Sequence, residues 1–127
     1  MSKGKVLIVD DNATNLKLVR VLLTAEGFDV QVASDAEEAL KILDCFVPQI
    51  ILMDVQLPGM DGLELTRLLK ADPRRRDIII IALTAYAMKG DDERARAAGA
   101  DGYLSKPVNT RTLPSEIESY LAGHDIR

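Results

Sequence analysis

The chain is 127 residues long, enough for one domain with one core, and its 47% apolar content excludes wholesale disorder. A net charge of −4 argues against a general nucleic-acid binder, which carries a basic excess. One cysteine, Cys45, excludes an internal disulfide and fits a reducing compartment, and no apolar run approaches the roughly 18 residues of a membrane span.

Val6 to Val9 opens the pattern as a continuous aliphatic run, the kind buried on both faces of a parallel sheet. Ala13 to Glu26 follows as a helix with Leu16, Val19 and Leu23 on one face and Gly27 at its stop. Phe28 to Ala33 alternates and suits a strand nearer an edge. Asp35 caps a helix predicted to run to Phe46, with Ala36, Ala39, Leu40 and Leu43 inward. Cys45 is expected to be a small buried hydrophobe. Pro48 resets the chain for the strand Ile50 to Met53. Asp61-Gly62 opens a helix carrying Leu63, Leu65, Leu68 and Leu69, which ends near Asp72-Pro73. Arg74-Arg75-Arg76 then forms a solvated basic loop. Ile78 to Leu83 is the fourth strand, Lys89 to Ala98 a polar, Ala-rich helix closed by Gly99, and Gly102 to Leu104 a short fifth strand. Thr110 to Leu121 is the last helix, provided Pro114 lies near its first turn.

Five alternations of strand and helix, joined by right-handed crossovers, predict an open, doubly wound α/β sandwich, one domain over residues 1–127 with its core over about 5–121. Such sheets bind ligands outside the carboxyl ends of their strands, where the strand order reverses. The N-terminus lacks the apolar region of a signal peptide, so a soluble, cytoplasmic protein is expected.

That edge collects the chemistry. Asp10 and Asp11 follow the first strand; two adjacent acids repel and raise a pKa unless a cation relieves them, although one could simply cap the next helix. Asp54 ends the run Ile50-Ile51-Leu52-Met53, where a lone carboxylate is costly without partners. It is placed as a metal ligand or as a nucleophile that forms an aspartyl phosphate. Thr84 closes the fourth strand, and its hydroxyl suits a phosphoryl oxygen, unless it is only a strand former. Lys106, after Tyr103-Leu104-Ser105 and before Pro107, adds a point charge that neutralises carboxylates and holds phosphate. Tyr103 offers a ring with a polar tip, or else a half-buried core ring. An X-Pro bond is usually trans, so spacing alone leaves Lys106-Pro107 trans.

With these motifs in place (Val9-Asp10-Asp11-Asn12, Met53-Asp54-Val55-Gln56-Leu57-Pro58-Gly59-Met60-Asp61-Gly62, Leu83-Thr84-Ala85 and Tyr103-Leu104-Ser105-Lys106-Pro107), the chain resembles the receiver domains of two-component response regulators, the CheY-like family. The tract from Thr84 to Asp91 is most like single-domain DivK-type regulators and the receivers of hybrid kinases. The resemblance implies a flavodoxin-like (βα)5 fold with strand order 2-1-3-4-5. It implies that Asp54 accepts a phosphoryl group from a histidine kinase or a histidine phosphotransfer protein. It implies Mg²⁺, with Mn²⁺ as an alternative, held by Asp11, Asp54 and the backbone carbonyl of Gln56, with Asp10 acting largely through water. Lys106 would contact the phosphoryl group across a cis bond to Pro107. Thr84, with Ala85, would close on the phosphoryl oxygens, and Tyr103 would swing inward. Gln56 and Tyr86 would tune dephosphorylation; a bulky Tyr86 that screens the attacking water predicts slow loss of the phosphoryl group.

The resulting expectation is a phosphorylation switch rather than an enzyme acting on other molecules. The chain ends shortly after the last helix, so no output domain is expected, and the signal would pass to a protein partner through the fourth helix, fifth strand and fifth helix. Leu18 and Leu22, a second apolar pair on the first helix, together with Pro107, are expected to dock the phosphodonor. Direct nucleic-acid and membrane partners are not expected. A receiver excised from a hybrid histidine kinase is the alternative. A haloacid-dehalogenase-type phosphohydrolase fits less well, because such enzymes place an acid where Gln56 stands.

Overall fold

The computed structural model describes residues 3–84, 91–106 and 108–126. Five parallel strands, β1 (Lys5–Val9), β2 (Asp29–Ala33), β3 (Ile50–Asp54), β4 (Ile79–Thr84) and β5 (Gly102–Ser105), form one sheet in the order β2-β1-β3-β4-β5. Between and after them lie α1 (Ala13–Ala25), α2 (Ala36–Leu43), α3 (Gly62–Ala71), α4 (Asp91–Ala97) and α5 (Leu113–Ile126). Strand order reverses between β1 and β3, as the flavodoxin-like reading requires.

The aliphatic runs are continuous because both faces are covered. On β1, Val6 and Ile8 point to a layer shared with α1 and α5 (Leu16, Val19, Leu23, Leu113 and Ile117). Leu7 and Val9 point the other way, to α2 and α3 (Ala36, Ala39, Leu65 and Leu69). A smaller cluster seats α4 through Ala95 and Ala98 against Leu63 and Ala82. Every residue of β3 and β4 is buried, whereas β2 alternates, as an edge strand with one wet face should.

Local chemistry sets the helix ends. Asn12 caps α1 by accepting from Asn15 N at 3.0 Å, so neither Asp10 nor Asp11 is used for capping. Asp35 and Asp61 cap α2 and α3 in the same way, each at 2.8 Å. Gly27, with φ +99°, turns the chain out of α1 and lets Phe28 N reach the Leu23 carbonyl.

Three expectations are corrected. Helix α2 stops at Leu43, three residues before the predicted end, because the chain must turn through Asp44 and Cys45 to reach Pro48. Cys45 therefore lies in a loop and is exposed, not buried. Helix α5 starts at Leu113 rather than Thr110: Asn109 organises a turn first, accepting from Arg111 N with its side chain and from Leu113 N with its carbonyl, and Pro114 falls in the first helical turn, where its missing N–H costs nothing.

Candidate functional site

Register assembles the site. Val9 pairs with Met53, so Asp10 and Asp54, the next residues, emerge side by side. Asp54 pairs with Leu83, which places Thr84 one step further out. Thr84 pairs with Ser105, so Lys106 stands another step beyond. Two residues of stagger amount to about 6–7 Å along a strand. The long stem of Lys106 spans that gap, bringing Nζ to 2.6 Å from Asp54 Oδ2 and 3.4 Å from Asp10 Oδ2.

Asp10, Asp54 and Thr84 are each 2% exposed, while Asp11 faces solvent. Carboxylate oxygens of Asp10, Asp11 and Asp54 lie within 4.8 Å of one another. The two buried acids are also fixed from behind: Asp10 Oδ1 accepts from Asn12 N at 2.9 Å and Asp54 Oδ1 from Gln56 N at 3.0 Å. Hard oxygen donors converging from three residues suit a hard divalent cation such as Mg²⁺, which keeps several waters and needs few protein ligands.

Electrostatics agree with that need. Burial lifts the Asp54 carboxyl above its ordinary range; the Lys106 hydrogen bond and the Gln56 N–H pull it down without cancelling the burial, and the Asp10 charge raises it further. Burial also pulls the Lys106 ammonium down, but the hydrogen bond to Asp54 and the charges of Asp10 and Asp54 overcome this and hold its pKa above the usual lysine value.

Thr84 Oγ1 donates to Tyr103 Oη at 3.3 Å, linking the last residue of β4 to the second residue of β5. Tyr103 is half-buried, its ring against the small α4 cluster. Ala85, Tyr86 and Pro107, to which sequence reasoning gave switching, dephosphorylation and docking roles, lie outside the described residues, as does the isomer of the Lys106-Pro107 bond.

A cleft of about 260 Å³ opens beside the acids, lined by Asp10, Asn15, Leu18, Val19, Lys106 and Val108 among others. Leu18 is 50% exposed on its rim. Leu22 is half-buried and packs against the core, and Val21, at 60% exposure, is the more open neighbour of Leu18.

In the sequence Gly62 marks only the opening of a helix, yet it is part of the site's frame. Gly62 N donates to the Val55 carbonyl at 3.1 Å, and a Cβ at this position would collide with the backbone carbonyl of Asp54. The start of α3 can lie against the end of β3 only because position 62 has no side chain.

A parallel doubly wound sheet with three carboxylates at the β1–β3 switch point and a lysine reaching to them is the arrangement that the receiver resemblance implies. Comparison with known proteins agrees. Residues 6–118 match the response regulator receiver domain family. The chain is 46% identical over 116 residues to the polar-differentiation response regulator DivK of Brucella anthropi, covering 91% of this chain and 94% of that protein. Among solved structures it resembles a CheY-like response regulator receiver domain protein from Methanospirillum hungatei (TM-score 0.87, 35% identity, 98% of each chain covered). It also resembles the receiver domain of a sensor histidine kinase from Pseudomonas aeruginosa, whose structure has a magnesium ion coordinated in the active-site cleft (TM-score 0.84, 33% identity, 94% of this chain and 98% of that one). The chain belongs to the response regulator receiver family.

Proposed function

We propose that Asp54 is the phosphoacceptor of this receiver, taking a phosphoryl group from the phosphohistidine of a histidine kinase or histidine phosphotransfer protein. One observation carries the reading: the buried Asp54 carboxylate shares a cluster with two other acids while a lysine ammonium stands 2.6 Å away. Phosphoryl transfer asks mostly for positioning and charge stabilisation, which this set supplies. Asp10, Asp11 and Asp54, with the Gln56 carbonyl, are the residues that would hold Mg²⁺, or Mn²⁺ in its place. That ion would neutralise charge developing on the transferred group.

Lys106 holds the phosphoryl oxygens as a point charge. Phosphorylation adds roughly −1.5 to −2 charge beside Thr84. Thr84 turns from Tyr103 toward that charge, and the tyrosine ring swings inward behind it. The signal passes to a protein partner on the face formed by α4, β5 and α5, with no direct part for nucleic acid or membrane. The exposed Leu18 and Val21 of α1, beside the half-buried Leu22, receive the phosphodonor. The protein acts in the cytoplasm as a switch and catalyses only its own phosphorylation and dephosphorylation. Among the described residues no helix is long and apolar enough to cross a membrane.

The test is intact mass after incubation with Mg²⁺ and acetyl phosphate, run beside Asp54→Ala. The expected result is an adduct of one phosphoryl group that is lost in the variant and absent with chelator. An adduct that persists in Asp54→Ala, or none on folded protein that binds Mg²⁺, removes the assignment.

A further inference from the structure

Lys70, near the C-terminal end of α3, lies outside the site. Its Nζ donates to the carbonyl oxygens of Arg76 at 3.1 Å and Ile78 at 2.7 Å, and to Asp101 Oδ2 at 2.7 Å. An ammonium has three donors, and all are engaged. The same Asp101 oxygen accepts from Ile80 N at 2.9 Å, and Asp101 N donates to the Ile80 carbonyl at 2.7 Å. Asp101 is thus bonded twice to the start of β4 and held there by an ammonium anchored on the α3–β4 loop. The side chains keep 19% and 35% exposure, so this pair is better sheltered than an open surface ion pair. Gly99, with φ +103°, makes room for it: a Cβ there would come within 2.9 Å of Lys70 Cγ.

The strand that Asp101 leads into is weakly specified by its own residues. β5 has four residues, begins with glycine, is nowhere fully buried, and joins the sheet through β4 alone. A strand without a strong buried face has little to fix its register. Its alignment decides where Lys106 and Tyr103 fall relative to Asp54 and Thr84. The acids stand instead on or just beyond β1 and β3, whose mutual pairing Lys70 does not touch.

We propose that Lys70 and Asp101 are a positioning pair that locks β5 against β4 and so sets Lys106 and Tyr103 for phosphoryl transfer, while the acids are placed independently by β1 and β3. This rests on the phosphoacceptor reading of Asp54.

The pair predicts a split that general loosening would not produce. In Lys70→Met, labelling by acetyl phosphate at saturating Mg²⁺ is expected to slow about tenfold, within the ~10²-fold cost of shifting a positioned group by an ångström. Mg²⁺ affinity by calorimetry is expected not to fall, because a displaced Lys106 ammonium leaves the acids in place and no less negative. Amide hydrogen exchange is expected to speed up at Asp101 and over Gly102–Ser105, and not in β1 or β3. Asp101→Asn keeps an acceptor oxygen and is expected to retain the wild-type rate, whereas Asp101→Ala behaves as Lys70→Met does. If Lys70→Met does not fold, the Asp101 pair carries the same comparison. A wild-type labelling rate in Lys70→Met and Asp101→Ala, or a parallel loss of Mg²⁺ affinity, overturns the proposal. If the wild-type protein itself takes no label, it is the phosphoacceptor reading that fails. The exchange experiment then decides the lock alone, and unchanged protection in β5 overturns it.

Discussion

The ammonium of Lys106 reaches back along the sheet edge to Asp54, 2.6 Å from Oδ2, and stands 3.4 Å from Asp10 Oδ2. One cation therefore serves two buried carboxylates, and the third, on Asp11, is left to solvent. The cluster is short of positive charge, and a bound divalent cation would supply it.

Removing the lysine exposes that shortage. Lys106→Met leaves Asp10 and Asp54 buried without a counterion. Breaking a buried pair costs about 3–5 kcal/mol, and partial exposure of Lys106 reduces the expected loss to roughly 2 kcal/mol. Urea unfolding is expected to show this loss without Mg²⁺ and a smaller one at saturating Mg²⁺, because an ion bound to the folded cluster would supply the charge that the variant lacks and so bind it more tightly than the wild type. An equal loss in both conditions would contradict the shared-charge account.

The two ionisations act in opposite senses on stability. Asp54 binds its proton more tightly in the folded chain than at its unfolded value of 3.8. Its charge therefore costs stability at neutral pH, and that cost is relieved as pH falls through the raised folded value toward 3.8. Asp54→Asn is expected to be at least as stable as the wild type at neutral pH without Mg²⁺. Lys106 is held above 10.5, so its contribution is complete below 10.5 and lost as pH rises through the folded value. Chemical denaturation across the alkaline range is expected to show that loss in the wild type and not in Lys106→Met.

Gly62→Ala drives a methyl group into the Asp54 carbonyl. The obstacle is backbone, which cannot swing aside as a flexible side chain does. The expected cost is about 1–3 kcal/mol in urea unfolding, together with slower labelling of Asp54. A variant with wild-type stability and rate would show that the α3 start can retreat freely.

On the proposed reading, the exposed apolar side chains of α1 would serve recognition and not the chemistry. Leu18→Asp with Val21→Asp alters two exposed side chains and is expected to leave acetyl phosphate labelling unchanged. Transfer from a phosphohistidine protein is expected to fall about tenfold or more, the effect of losing roughly 1.4 kcal/mol at a contact. Stopped transfer assays with both donors make the comparison; equal rates from the protein donor would place docking elsewhere.

Sequence patterns revealed what depends on one residue and its neighbours. The strands were legible because Val6 to Val9, Ile50 to Met53 and Ile78 to Leu83 are uninterrupted aliphatic runs, and the acids because each stands at the end of one. Cys45 was misplaced because helical periodicity continues past Leu43, whereas the turn that ends α2 is imposed by the path to β3. Gly62 and Lys70 were missed for another reason. Their roles lie in contacts with Asp54 and Asp101, and neither a glycine after a cap nor a lysine late in a helix carries a local mark of such a partner.

Because Asp10 and Asp54 meet only through the pairing of Val9 with Met53, the count of residues in β1 and β3 is itself a chemical parameter. Deleting one residue from either strand would shift one acid along the edge and turn the remaining side chains to the opposite layer at the same time. Changes of length in this protein are therefore confined to the far ends of the helices and the loops opposite the acids. Along the strands, variation must proceed by exchange of one side chain for another.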